Sequence, residues 1–210
     1  MGNQHQALLS QRGQANDTRI EQVGNAQTAT VQQHGAHHIA DIVQIGDGHA
    51  TTLLQEGTTN QITVNQGGDA HQADVRQGAF SHDSRATLGQ FGTAHVTSVY
   101  QDGSLNTIAQ HQEGYANMLA ASQLGDDNYI AQEQTGTGNQ ASARQHGSGN
   151  TISQTQVGQN NTADAEQFGQ DNSITHMQIG DGLAYSIIQE GQGLAITVTQ
   201  DSTGTVAISP

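Results

Sequence analysis

Glutamine returns every eleven residues along almost the whole of this 210-residue chain. It stands at Gln11, Gln22, Gln33, Gln44, Gln55, Gln66 and Gln77. After a slip of two residues it resumes at Gln90, Gln101, Gln112, Gln123, Gln134, Gln145, Gln156, Gln167, Gln178, Gln189 and Gln200. A glycine follows two places after sixteen of these eighteen glutamines: Gly13, Gly24, Gly35, Gly46, Gly57, Gly68, Gly92, Gly103, Gly114, Gly125, Gly136, Gly147, Gly158, Gly169, Gly180 and Gly191. The exceptions are Gln77, where Gly78 comes one place early, and Gln200. A fixed period points to a solenoid or an array before any other architecture.

The frame is clearest from Gln145 to Gln156 and reads Gln-x-Gly-x-x-Asn-x-Ile/Ala-x-x-x-Gln. It predicts a strand on the seven residues from the Asn place to the next Gln, and a turn on the x-Gly-x-x between strands. Alternate residues of a strand share a face. Asn150, Ile152, Gln154 and Gln156 therefore point one way, and Thr151, Ser153 and Thr155 the other. The first set is the more apolar and regular, so it is assigned to the interior. Two strands and two turns close a flat coil of 22 residues, an all-β solenoid of about nine coils. At a strand spacing of roughly 4.8 Å, nine coils span about 43 Å.

Interior positions carry the 22-residue repeat. Ile108, Ile130, Ile152 and Ile174 run on one face, beside Gln110, Gln132 and Gln154; Ala141 with Ala143 and Ala163 with Ala165 run on the other. Large residues opposite small ones let two sheets interdigitate in a thin dry core. His5, Ala7, Leu9 and Gln11 fill the inward places of the first strand. Counting back from Gln90 buries Leu88, Ala86 and Ser84, which puts the slip on the rim, in a longer turn at residues 78–83. The organisation expected is a leader remnant at 1–4, with Met1-Gly2 as a start placed before a mature chain, a repeat body at 5–200, and a tail at 201–210. Leu183, Tyr185, Ile187, Leu194, Ile196 and Val198 make the last coil more apolar, as caps of solenoids often are. The tail is expected either to add a slipped half-strand through Val206 and Ile208 or to fray.

Composition excludes several classes. Apolar residues are 32% and the net charge is −14, a balance that would ordinarily mean disorder, but the strict period overrules it. Five scattered arginines and no lysine disfavour nucleic acid, whose affinity rests on cations meeting phosphates. No apolar run of about 20 residues exists for a membrane span. With no cysteine there is neither a disulfide nor thiolate chemistry.

Candidate sites are read as structural first. Asn16, Asn60, Asn106, Asn117, Asn128, Asn139, Asn150, Asn161 and Asn172 occupy the inward corner. Each amide of such a stack is expected to donate to the coil above and accept from the coil below. His5, His38, His49, His71 and His95 take the same place and are expected to substitute for Asn as neutral rings, with His49, His71 and His95 stacked in successive coils. His34, His37 and His146 are assigned to turns, as weak surface candidates for Cu or Zn. Asp47, Asp69, Asp126, Asp127, Asp171 and Asp181 are also assigned to turns and serve solvation; they lack the spacing of a calcium-binding roll. No nucleophile–base pair, phosphate loop or zinc motif is found, so neither enzyme activity nor a cofactor is expected. A soluble binding solenoid, such as an ice-binding protein or adhesin, is the alternative class. Ice binding needs regular outward Thr-x-Thr rows, and a pair such as Thr28 with Thr30 in a strand does not make a row.

The frame resembles the curlin repeat of bacterial curli, secreted amyloid fibres of the biofilm matrix: Gln156, Gly158, Asn161, Ala163 and Gln167 match it position by position. The resemblance covers residues 5 to 200. The stretch Gln77-Gly78-Ala79-Phe80 and the segment Leu194–Gln200 are similar to parts of the minor, nucleating curlin. The resemblance implies a β-solenoid exported unfolded through an outer-membrane pore and assembled outside the cell into cohesive cross-β fibres. Its partners would be copies of itself, other curlin subunits and the secretion machinery. Both a major and a nucleating subunit stay open.

Overall fold

The computed structural model describes residues 4–203 and 206–209. Most of the expected leader remnant, Met1 to Asn3, and residues 204, 205 and 210 of the tail lie outside the described residues. The chain forms strands β1 (Gln6–Gln14), β2 (Asp17–Asn25), β3 (Thr28–Ala36), β4 (Ile39–Asp47), β5 (Ala50–Thr58), β6 (Gln61–Asp69), β7 (Gln72–Gln77), β8 (Arg85–Thr93), β9 (Val96–Asp102), β10 (Thr107–Tyr115), β11 (Met118–Asp126), β12 (Tyr129–Thr137), β13 (Gln140–Ser148), β14 (Thr151–Gln159), β15 (Thr162–Gln170), β16 (Ser173–Asp181), β17 (Ala184–Gln192), β18 (Ala195–Asp201) and β19 (Val206–Ser209). No helix occurs among the described residues.

Odd strands β1 to β17 make one nine-stranded sheet. Even strands β2 to β18, with β19 beyond β18, make a ten-stranded one. Apart from the antiparallel β18–β19 pair, successive strands within each sheet are parallel, 24 residues apart across the slip (β6–β8 and β7–β9) and 22 elsewhere, so like residues stack: Ile108 on Ile130, Ile130 on Ile152, Ile152 on Ile174. The architecture is the all-β solenoid of about nine two-strand coils that the period predicts.

Strands are longer than the seven residues predicted. Most run nine residues, so the corner Asn lies outside the strand and the glycine inside it. Backbone proximity is the reason. A Cβ on Gly147 would stand 1.8 Å from the carbonyl oxygen of Gly169 in the next coil, and its φ is +129°. Glycine alone lets stacked backbones approach this closely while the ladder continues past them. The chain reverses instead at the residue before the corner, in a left-handed conformation: Gly149 at φ 66°, Leu105 at 58°, Thr59 at 58°.

The core is a thin sheet-to-sheet layer. Ile130 and Ile152 of the even sheet pack in one cluster with Ala143 and Ala165 of the odd sheet. In the first coil the inward residues have no coil beyond them among the described residues. All of β1 is exposed, with Leu9 at 47%. The expectation of an interior place there needs that qualification of geometry: Ala7, Leu9 and Gln11 face inward but are uncovered.

The slip is narrower than the expected turn at 78–83. Ser81 is buried and stands where other coils carry the glycine: its carbonyl oxygen accepts from Thr58 N–H and from Asn60 Nδ2. His82 bridges Thr58 and Ser104 of the flanking coils, and Asp83 takes the left-handed place at φ 51°. The extra residues therefore bulge within Gly78–Phe80, closed by a bond from Ser81 N–H to Gly78 O of 3.0 Å. Ser84, Ala86 and Leu88 then lie buried.

Candidate functional site

Two continuous rows of glutamine amides run the length of the solenoid. From Gln11 to Gln189 in the odd sheet and from Gln22 to Gln200 in the even sheet, each Nε2 donates to the Oε1 of the glutamine in the next coil, at 2.7–3.1 Å. A buried amide left unpaired would cost about 1–3 kcal/mol, and the row removes that cost along its length. The second Nε2 proton often bridges the two sheets, as from Gln145 to Tyr129 O and from Gln156 to Gln140 O. The shorter row of Gln110, Gln132 and Gln154 follows the same sense.

The corner asparagines work differently from the expected amide stack. Asn128 accepts on Oδ1 from the backbone N–H of Asn150 at 3.1 Å and donates from Nδ2 to Gly147 O at 2.9 Å. Asn139 does the same with Asn161 N–H and Gly158 O. Both bonds point to the next coil and mostly to its backbone. The physical reason is that the sharp corner leaves an N–H and the glycine carbonyl outside the strand ladder, and buried main-chain groups need partners. Direct amide contact adds to this among Asn106, Asn128 and Asn150. Asn16, Asn117, Asn161 and Asn172 likewise bond a glycine-place carbonyl of the next coil, and Asn60 bonds Ser81 O in the same place.

Histidine keeps the asparagine's acceptor toward the next coil, and its Nε2 donates to the carbonyl four residues back, a bond Asn117 and Asn139 also make. His71 Nδ1 accepts from His95 N–H at 3.1 Å, and its Nε2 donates to Gly67 O at 3.0 Å. His49 and His95 repeat the arrangement, and His38 accepts from Asn60 N–H at 3.3 Å. Nδ1 as acceptor with Nε2 as donor is the neutral ring. Rings of His49, His71 and His95 stack at 5.0 Å between centroids. Burial pushes His71 down to about 4 and also lowers His38 and His95. His5 is half-buried beside the first strand.

The surface histidines do not converge. His34 lies in β3, 3.8 Å from Glu56, and His146 in β13 against Phe168, so both are in strands rather than turns. His37 occupies a left-handed turn position at φ 60°. Among the described residues no group of three His, Cys, Asp or Glu side chains could hold a metal ion. Asp47, Asp69, Asp126 and Asp181 end strands, and three of them cap N–H groups of the preceding coil: Asn25, Ser104 and Gln159. Asp127 and Asp171 are the turn residues.

Inward threonines are a feature the glutamine period did not reveal. Thr51 Oγ1 lies 3.1 Å from Gln44 Nε2 and 2.9 Å from Gln66 Oε1, and Thr97 does the same between Gln90 and Gln112. They tie one sheet to the other's amide row. Their signal was their place, two residues after an inward His in each case.

Residues 13–46 match the family model described as the curlin associated repeat. No curated protein matches the chain at a significant level.

Proposed function

We propose that this chain, a curlin-repeat protein, is a structural subunit of a curli-type extracellular fibre, in which copies add end to end through their edge strands. One observation carries the proposal. Every coil offers its neighbour the same parallel register and the same one-way row of glutamine donors and acceptors. A unit whose repeat is set by backbone and amide ladders continues across a junction as it does within the chain. The contact is head-to-tail and does not close, so it propagates as a filament. The matched repeat further supports secretion and a place among other curlin subunits in a biofilm matrix. The role is cohesive rather than catalytic.

Incubation at micromolar concentration, followed by electron microscopy and fibre diffraction, tests this. Unbranched fibres with a meridional spacing of about 4.8 Å are expected; a chain that stays monomeric would refute it. A nucleating role is a second reading, favoured by Leu183 and Leu194 replacing the corner asparagines of the last coil. It predicts that substoichiometric amounts of this chain shorten the lag of a different curlin.

A further inference from the structure

We propose that β19 is a displaceable cap, seated where the second strand of another copy docks during end-to-end addition. The inference rests on the fibre function above and names the surface at which subunits meet.

The two ends of the solenoid are physically unlike. Leu9 in the first coil is 47% exposed, whereas the inward Ile187 and Val198 of the last coil are 5% and 1% exposed. At that end β19 pairs antiparallel with β18, Val206 opposite Gln200 through Ser209 opposite Thr197. Every other strand pairing among the described residues is parallel. An added strand of this kind blocks an edge that would otherwise template pairing. It blocks one sheet. β17 ends the other sheet and has β15 as its strand partner.

Gln189 on β17, the last strand of the sheet without β19, shows what that edge fits. It is 2% exposed and among the described residues its Nε2 has no hydrogen-bond partner, while its Oε1 accepts from Gln167 at 2.9 Å. Gln189 is thus a buried donor at the end of a row whose first member, Gln11, carries the matching Oε1 at the opposite end of the molecule. In the register used throughout, β1 of a second copy lies on β17 with Gln11 against Gln189. The same copy then brings β2 to β18, Gln22 against Gln200, over the residues that β19 covers. β2 offers nine residues and an amide row; β19 offers four. The cap therefore delays addition at this end and yields to a correctly registered copy.

The test keeps the full chain. Thr199 and Ala207 are directly opposed, and the chain has no cysteine, so Thr199→Cys with Ala207→Cys creates one reducible staple. Oxidised, it should lose elongation at the C-terminal end of labelled seeds, and reductant should restore it. Ala207→Pro, which removes a backbone N–H from the cap, should elongate about tenfold faster than the parent, the factor given by ~1.4 kcal/mol of lost pairing. Equal growth of the parent, Ala207→Pro and the staple in both redox states would overturn the cap and leave the fibre function standing. Assembly of Ala207→Pro from a parent that stays monomeric would overturn both the fibre function of the parent and a cap that yields to an incoming copy. No assembly by any variant would overturn both.

Discussion

The ring of His71 lies 5.0 Å from that of His95 and 1° from parallel, while the N–H of His95 donates to His71 Nδ1 at 3.1 Å. A proton on Nδ1 would set a donor against a donor, inside a core where charge is poorly solvated. The folded His71 titrates at about 4 instead of 6.5, so the folded state binds fewer protons than the unfolded one. Stability is fully present above the unfolded value and falls as pH drops from 6.5 toward 4. At about 1.4 kcal/mol per unit, His71 alone accounts for on the order of 3 kcal/mol. Chemical denaturation at stepped pH should show this slope. Replacing His49, His71 and His95 together by Asn, which keeps the acceptor and donor, should make the slope shallower and leave the part due to His38 and His176, which burial also lowers.

Gly147 and Leu105 give opposite expectations. Gly147→Ala places Cβ 1.8 Å from Gly169 O, a backbone atom with no room to move, and should cost about 3 kcal/mol or more. Leu105→Gly relieves a left-handed non-glycine residue at φ 58°. It should be neutral or stabilising by up to about 1 kcal/mol. Melting temperatures of the two variants should move in different directions from the parent, or Leu105→Gly should not move at all.

The row Leu88, Gln110, Gln132, Gln154, His176, Val198 is apolar at both ends and amide in the middle. Gln132→Leu alone strands Gln110 Nε2 and Gln154 Oε1 and should cost about 2–3 kcal/mol. Leu at Gln110, Gln132 and Gln154 together removes the amides that would be stranded, so the triple variant should lose less than the single one. His176 has both ring nitrogens buried without a partner, and burial lowers it to about 4. His176→Leu should stabilise by about 1–2 kcal/mol at neutral pH and by more in acid.

Deleting Ala79 with Phe80, which is 80% exposed, joins Gly78 to Ser81 and restores the eleven-residue count. The loss should stay below about 1 kcal/mol, since a shorter surface loop changes closure entropy little. Deleting Ser81 with His82 removes the carbonyl that receives Thr58 N–H and Asn60 Nδ2. That variant should lose cooperative unfolding by circular dichroism. Equal damage from both deletions would disprove the placement of the bulge.

The coil, its two-strand layout and the inward faces are legible in the sequence because a ladder demands the same residue type at the same place. Gln156 stacks on Gln134 and Gln178, two of the eleven-residue steps away in either direction. What the period hides is direction and conformation. Nothing in the spelling of Asn139 says that its Oδ1 seeks a backbone N–H rather than another amide. The left-handed residue before each corner is spelled Gly, Ala, Asp, Asn, Gln, His, Thr or Leu, so composition gives no signal there. Ser81 in the glycine place could be found only from the register on both sides of it.

The amide rows point one way: from Gln11 and from Gln22, every donor lies in the lower-numbered coil. Side-chain dipoles so aligned add along the axis as peptide dipoles do in a helix, and nothing in the row cancels them. A filament that continued these rows would carry an electrical direction from one tip to the other. Two filaments lying side by side would then be physically different in parallel and opposed arrangement, and a strong field would turn a suspension of them the same way round.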